Sequence, residues 1–208
     1  MRLYDVFLTF FVVIDPVGLL PLFGALTQNA TPEYRRRMAI KGVLIAGGIL
    51  FFFALSGFAL LRVLGIGLAA FRIAGGILLF LLAIDMVFAR HSGLRSTTRR
   101  ETEEAQERAD ISVFPLAIPL LAGPGALTSL LLMVSAAHGD MIEVGLLLAI
   151  LTLVLAIALL VLLASVRILA LVGETGANVV TRLLGVLLTA LAVQYVLTGV
   201  RVGLLNHP

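Results

Sequence analysis

The chain contains no cysteine, only three histidines (His91, His138 and His207), and just 13% charged residues. Without cysteine there is no disulfide framework, no thiolate nucleophile and no cysteine metal site, and the redox compartment stays unread. The histidines are scattered, with neither an HExxH nor a paired-His spacing, which argues against a metal centre. A Walker A motif is also missing, so no P-loop within the chain couples ATP. No cofactor is expected. Nucleic-acid binding has little support, because the net charge of +3 comes from arginines in connecting segments. In a membrane protein such charges report orientation first.

What the chain has in excess is apolar surface. Hydrophobic residues make up 61% of it and mean hydropathy is +1.13, values of polytopic membrane proteins and not of soluble domains. A spanning helix needs about 20 apolar residues. Six stretches meet that need: Leu3 to Leu26, Ile40 to Leu61, Leu68 to Ala89, Val113 to Ala136, Val144 to Val166, and Val179 to Val200. The expected fold is all-α, a multi-pass protein of the cytoplasmic (inner) membrane with the lipid bilayer as its first partner. The first run is longer than a signal peptide's apolar region and lacks a clear cleavage site, so it is expected to stay as a membrane helix.

Counting Lys and Arg by loop sets the orientation. Arg35, Arg36, Arg37, Lys41, Arg90, Arg95, Arg99, Arg100, Arg108, Arg167 and Arg182 fall on one side, against Arg2, Arg62, Arg72 and Arg201 on the other. Eleven against four places the odd-numbered loops in the cytoplasm and both termini outside.

The polar segment from Arg90 to Asp110 divides the chain into residues 1–89, a cytoplasmic linker over 90–110, and residues 111–208. The two larger pieces resemble each other. Gly76 to Asp85 aligns without gaps on Gly185 to Gln194, the same register pairs Gly67 with Gly176, and one residue of slack pairs Pro16 with Pro124. Because each piece carries three spans, the second must run inverted relative to the first. Inverted repeats with interrupted helices at corresponding positions are the sequence pattern of secondary transporters.

The interruptions are specific. In Ile14-Asp15-Pro16-Val17-Gly18-Leu19-Leu20-Pro21 a carboxylate and two prolines stand where lipid-facing residues are expected. An acid at the centre of a spanning helix costs ~2.5–3.5 kcal/mol on insertion scales. Asp-Pro is also a helix-start signal, which predicts a half-helix capped by Asp15 and beginning at Pro16. In the fourth span Pro119 and Gly123-Pro124-Gly125 form a second break, with a half-helix predicted from Pro124. Its free N–H groups at Gly125 and Ala126, with the Thr128 hydroxyl, suit an anion. Asp15 is open to two readings, a cap satisfied locally or a ligand for a solute, proton or cation.

Gly75 and Gly76 read as a packing surface. Asp85, near Arg90 at the cytoplasmic end, reads as structural, with Gln194 as its repeat partner. Arg72 either snorkels outward or pairs with an acid in the bundle. Glu174 and Asn178 read as loop residues.

Several of these segments resemble one family. IDPVGLLPLF, the basic Arg35-Arg36-Arg37, FRIAGGILL over Phe71 to Leu79 and PLAIPLLAGPGALT over Pro115 to Thr128 are similar to the MarC family of bacterial and archaeal membrane proteins, along nearly the whole chain. The family takes its name from a multiple-antibiotic-resistance locus. Some members are classed as neutral amino acid transporters, and it is grouped loosely with LysE-type exporters. The resemblance implies a transporter of small neutral solutes, not an enzyme. The substrate-binding candidates, Asp15, Gly18, Gly123, Gly125, Ala126 and Thr128, come from the two breaks themselves. The coupling ion, proton or sodium, and a homo-oligomeric state stay open. Two competing readings are a non-transporting membrane partner and an intramembrane hydrolase using Asp15 with Asp85.

Overall fold

The computed structural model describes residues 2–88, 110–137 and 140–205. Apart from Asp110, the expected linker lies outside the described residues. Every element among them is helical: α1 (Leu3–Ile14), α2 (Leu19–Leu26), α3 (Pro32–Val63), α4 (Leu68–Phe88), α5 (Ser112–Leu121), α6 (Pro124–Ala136), α7 (Met141–Leu163) and α8 (Ser165–Leu205). Taking α1 with α2 and α5 with α6 as one span each, six segments are long and apolar enough to cross a membrane.

Boundaries depart from the hydropathy runs where capping chemistry extends the helices. α3 begins at Pro32 and not at Ile40, because the Thr31 hydroxyl accepts from the Tyr34 N–H at 3.2 Å and proline occupies the first helical position. Its 32 residues reach roughly 48 Å at ~1.5 Å each, well beyond a ~30 Å hydrocarbon core. Arg35, Arg36 and Arg37 are therefore helical. Arg35 turns back to donate to the Thr27 carbonyl at 2.9 and 3.1 Å and to that of Gln28 at 3.3 Å. That places a cation at the carbonyl end of α2, where the helix dipole favours it.

The expected fifth loop is also helical. α8 runs on from Ser165 through Glu174 and Asn178, broken only at Gly173, where φ is +70°. Glu174 and Asn178 are exposed helix residues and not loop residues.

The broken first span is the most enclosed of the continuous apolar windows, 61% buried against 22% for α8, so the break at Asp15 lies inside the bundle. Between α4 and α8 small residues bring the backbones together, as membrane packing requires. A Cβ on Gly76 would lie 2.7 Å from Val196 Cγ2 and 2.9 Å from the Ala192 carbonyl; one on Gly185 would lie 2.8 Å from Met86 Cβ and 3.0 Å from the Val87 nitrogen. The ungapped register pairs Gly76 with Gly185 and Val87 with Val196. The two contacts are thus one contact made once from each half. Other neighbours obey the same exchange: α3 packs on α5 as α7 packs on α1, and α4 on α6 as α8 on α2.

Candidate functional site: two helix breaks inside the bundle

α1 ends because Pro16 has no N–H to continue it. Asp15 caps the end in the left-handed region (φ 44°, ψ 71°), its own N–H bonded to the Phe11 carbonyl at 2.9 Å. The same residue opens the next turn. Its carboxylate Oδ1 accepts from the Gly18 N–H at 3.0 Å and its carbonyl accepts from the Leu19 N–H at 3.2 Å, the bonding of an N-cap residue. Regular helix starts only at Leu19, however, and not at Pro16 as predicted, because Pro16 to Gly18 form a turn. Pro21 sits in the first turn of α2 and breaks nothing, since its missing N–H is one that a helix start leaves unused.

Asp15 is fully buried. A Cβ on Gly18 would lie 2.2 Å from Asp15 Oδ2 and 2.7 Å from the Thr181 hydroxyl oxygen of α8. Glycine is therefore the residue that lets carboxylate, hydroxyl and backbone meet. Thr181 escaped the sequence reading. The available signal was the repeat register, which pairs Thr181 with Arg72, the other polar residue inside an apolar helix.

The second break is more extensive. Phe114 and Ile118 are extended (φ −126° each), as residues before proline tend to be. The hydrogen bonds Leu116 N–H to Ile111 carbonyl (3.2 Å) and Ala122 N–H to Ala117 carbonyl (2.8 Å) each span five residues, so α5 consists of two widened turns interrupted at Phe114 and Ile118 and is not a continuous helix. Pro115, passed over in the sequence, disrupts it together with Pro119. After Ala122 the chain bends by 55° into α6, with Gly123 extended at the N-cap and Pro124 first in the helix. A Cβ on Gly123 would lie 2.4 Å from the Pro119 carbonyl oxygen, which is why no larger residue fits the bend.

The two breaks adjoin. A Cβ on Gly125 would lie 3.3 Å from Val13 of α1, and 2.9 and 3.0 Å from Leu82 and Leu79 of α4. Around this point Val13, Leu82, Pro119, Gly123, Pro124 and Ala126 are among the residues that line a narrow recess with room for about one water. Asp15 does not line it. Thr128 is buried with its methyl group against Gly75, and Gly75 and Gly76 are packing positions against α6 and α8.

Asp85 is buried at 9% exposure, one turn before the end of α4 at Phe88. Gln194 is exposed and donates to the Thr198 hydroxyl at 3.3 Å; the repeat partners occupy different surroundings. Ser129 on α6 is wholly buried, with the Tyr195 hydroxyl of α8 beside it and Arg72 close to that tyrosine. Outside the spans, Asp110 is held down to about 2, first by its hydrogen-bonded ion pair with Lys41 of α3 and then by the Ser112 hydroxyl and N–H. That pair ties the start of α5 to α3. Among the described residues no three His, Asp or Glu side chains converge as metal ligands.

Six helical spans, two of them broken at prolines whose ends meet inside the bundle, define a polytopic membrane protein with paired discontinuous helices. The chain belongs to the MarC family integral membrane proteins, whose pattern it matches over residues 1–204. It is 39% identical over 199 residues to the UPF0056 membrane protein MJ1677 of Methanocaldococcus jannaschii, covering 96% of each chain. Similarity to a UPF0056 membrane protein of Archaeoglobus fulgidus is 37% over 193 residues, covering 93% of this chain and 89% of the other. With the UPF0056 membrane protein YhcE of Escherichia coli it shares 34% over 208 residues, covering 98% and 95%. No solved structure matches.

Proposed function

We propose that the protein is a secondary transporter of small neutral solutes, amino acids among them, in the cytoplasmic membrane with both termini outside. The observation that carries this reading is the meeting of two helix breaks in the bundle interior, with a fully buried carboxylate at one of them. Discontinuous helices at corresponding places in two repeats are the usual construction of a midplane solute site. The reciprocal Gly76–Val196 and Gly185–Val87 contacts support two inverted three-span repeats, residues 1–89 and 111–208, about an axis in the membrane plane.

A zwitterion needs a positive end for its carboxylate and a negative one for its ammonium. The start of α6 supplies N–H groups at Gly125 and Ala126, and Asp15 supplies the carboxylate. The surrounding Leu, Val and Ala side chains offer no counter-charge to a charged side chain. An amino acid does not fit the recess as it stands, so entry requires one repeat to rock against the other, which is how such folds alternate access. The test is flux of labelled amino acids into liposomes holding the purified protein, with proton and sodium gradients imposed separately. Solute accumulation under either gradient is expected, and its absence under both sinks the reading.

A further inference from the structure

We propose that α5 is the gate of the solute path on the face that carries Lys41 and Asp110, hinged at Gly123 and latched by that ion pair; this rests on the transporter reading above. The starting observation is what α5 encloses. Pro119, Leu120 and Leu121, its last residues, form one wall of the recess where the two helix breaks meet. The recess holds about one water, so a larger solute enters only when a wall moves. Gating by one element is the local form of the movement that alternates access.

α5 is the wall least bound to itself. Val13, Leu82 and Ala126, on the other sides of the recess, belong to the regular helices α1, α4 and α6. The repeat register sets α5 against α1, which is unbroken over Leu3–Ile14. α5 instead holds two widened turns with Phe114 and Ile118 extended, and Pro115 and Pro119 bring no N–H with which a regular helix could form. Its neighbours hold it in place. Along its length it rests on α3, where Gly42 makes the seat: a Cβ there would lie 2.5 Å from Leu116 Cδ2 and 2.8 Å from Leu116 Cγ.

The two ends of α5 differ in kind. At one, the chain bends by 55° through Gly123 into α6, and hinges are such residues at element ends, which absorb the change in backbone angles. At the other, the Asp110 carboxylate pairs with Lys41 of α3 and accepts from the Ser112 N–H at 2.9 Å. Both side chains of the pair are partly exposed, so water competes for each and the latch is weak enough to open. The register pairs Lys41 with Ile150, which carries no charge. The ion pair is therefore not repeated between α7 and α1, and the device is one-sided.

The chain has no cysteine, so maleimide labelling of a single introduced cysteine reads opening without requiring transport. In the purified full-length protein Leu120→Cys reports the wall of the recess, and Leu147→Cys, wholly buried on α7, reports general loosening. Asp110→Asn keeps the bond to the Ser112 N–H, since Asn caps about as well, and Lys41→Met keeps the stem; each removes the ion pair. Either change is expected to speed labelling of Leu120→Cys about two- to fivefold, the range an exposed pair controls, and to leave that of Leu147→Cys unchanged. Lys41→Arg is expected to keep the parent's rate. Equal acceleration at both positions, or none at Leu120→Cys, shows that the pair only holds the fold, and the inference falls while transport stands. If labelling follows the expected pattern but the parent carries no solute in liposomes, the hinged α5 stands and the transporter reading alone fails.

Discussion

The Asp15 carboxylate accepts the Gly18 backbone N–H at 3.0 Å across the turn that separates α1 from α2. The bond needs an oxygen and not a charge. Asp15→Asn, which caps about as well, is expected to melt within about 0.5 kcal/mol of the parent, and Asp15→Ala to lose roughly 0.5–2 kcal/mol. Thermal unfolding of the purified variants in detergent reads the difference. Equal loss in both would show that the charge itself holds the turn.

Close helix packing between α4 and α8 predicts a contrast between two glycines. Gly76→Ala puts a methyl 2.9 Å from the Ala192 carbonyl and 3.0 Å from the Val196 nitrogen, backbone atoms that move only if the helices part. A loss of about 1–3 kcal/mol is expected, as for other overpacked sites. Gly48→Ala meets nothing within 4 Å and is expected to be neutral or to gain up to roughly 1 kcal/mol from helix propensity. Melting of the two variants side by side checks the sign.

The Lys41–Asp110 pair carries a pH dependence whose direction is fixed. Because the folded state lowers Asp110 to about 2, its stabilisation is fully present above the ordinary carboxylate value of about 4 and is lost as pH falls through about 2. Both side chains are more than 40% exposed (45% and 41%), so solvent screening limits the effect to roughly 1 kcal/mol or less. The melting difference between parent and Asp110→Asn is expected to be flat above about pH 5 and to vanish near pH 2. A difference that grows on acidification would contradict the pairing.

The eleven-to-four charge asymmetry predicts that Ser96, which lies outside the described residues, is cytoplasmic. Because the chain has no cysteine, Ser96→Cys gives a single label site. Impermeant maleimide added to intact cells is expected to leave it unlabelled until the membrane is opened. Labelling from outside reverses the orientation.

Span number and the places of the two breaks were legible in the sequence, because twenty-residue apolar runs and prolines within them have few other uses. Helix ends were less so. Hydropathy reads where lipid begins, whereas Thr31 and Pro32 start α3 in the aqueous part of the chain, and only Gly173 interrupts α8 where a loop was expected. Asp15 was recognised as a cap, but hydropathy does not reveal that one residue closes α1 and opens the following turn. Thr181 was hidden for a different reason. A lone threonine is unremarked in any helix, and it gains meaning only when α8 folds across the first span and sets its hydroxyl beside Gly18.

The central claim is that the buried carboxylate serves a solute and not only a helix end. The direct measurement compares uptake of labelled alanine by liposomes containing equal amounts of folded parent or Asp15→Asn protein, under the gradient that drives the parent best. Uptake by the parent, with a loss of about tenfold or more in the variant at unchanged melting temperature, is the predicted result, in line with losing a charge-assisted hydrogen bond. Equal uptake by the two proteins would contradict the account and return Asp15 to the role of a cap.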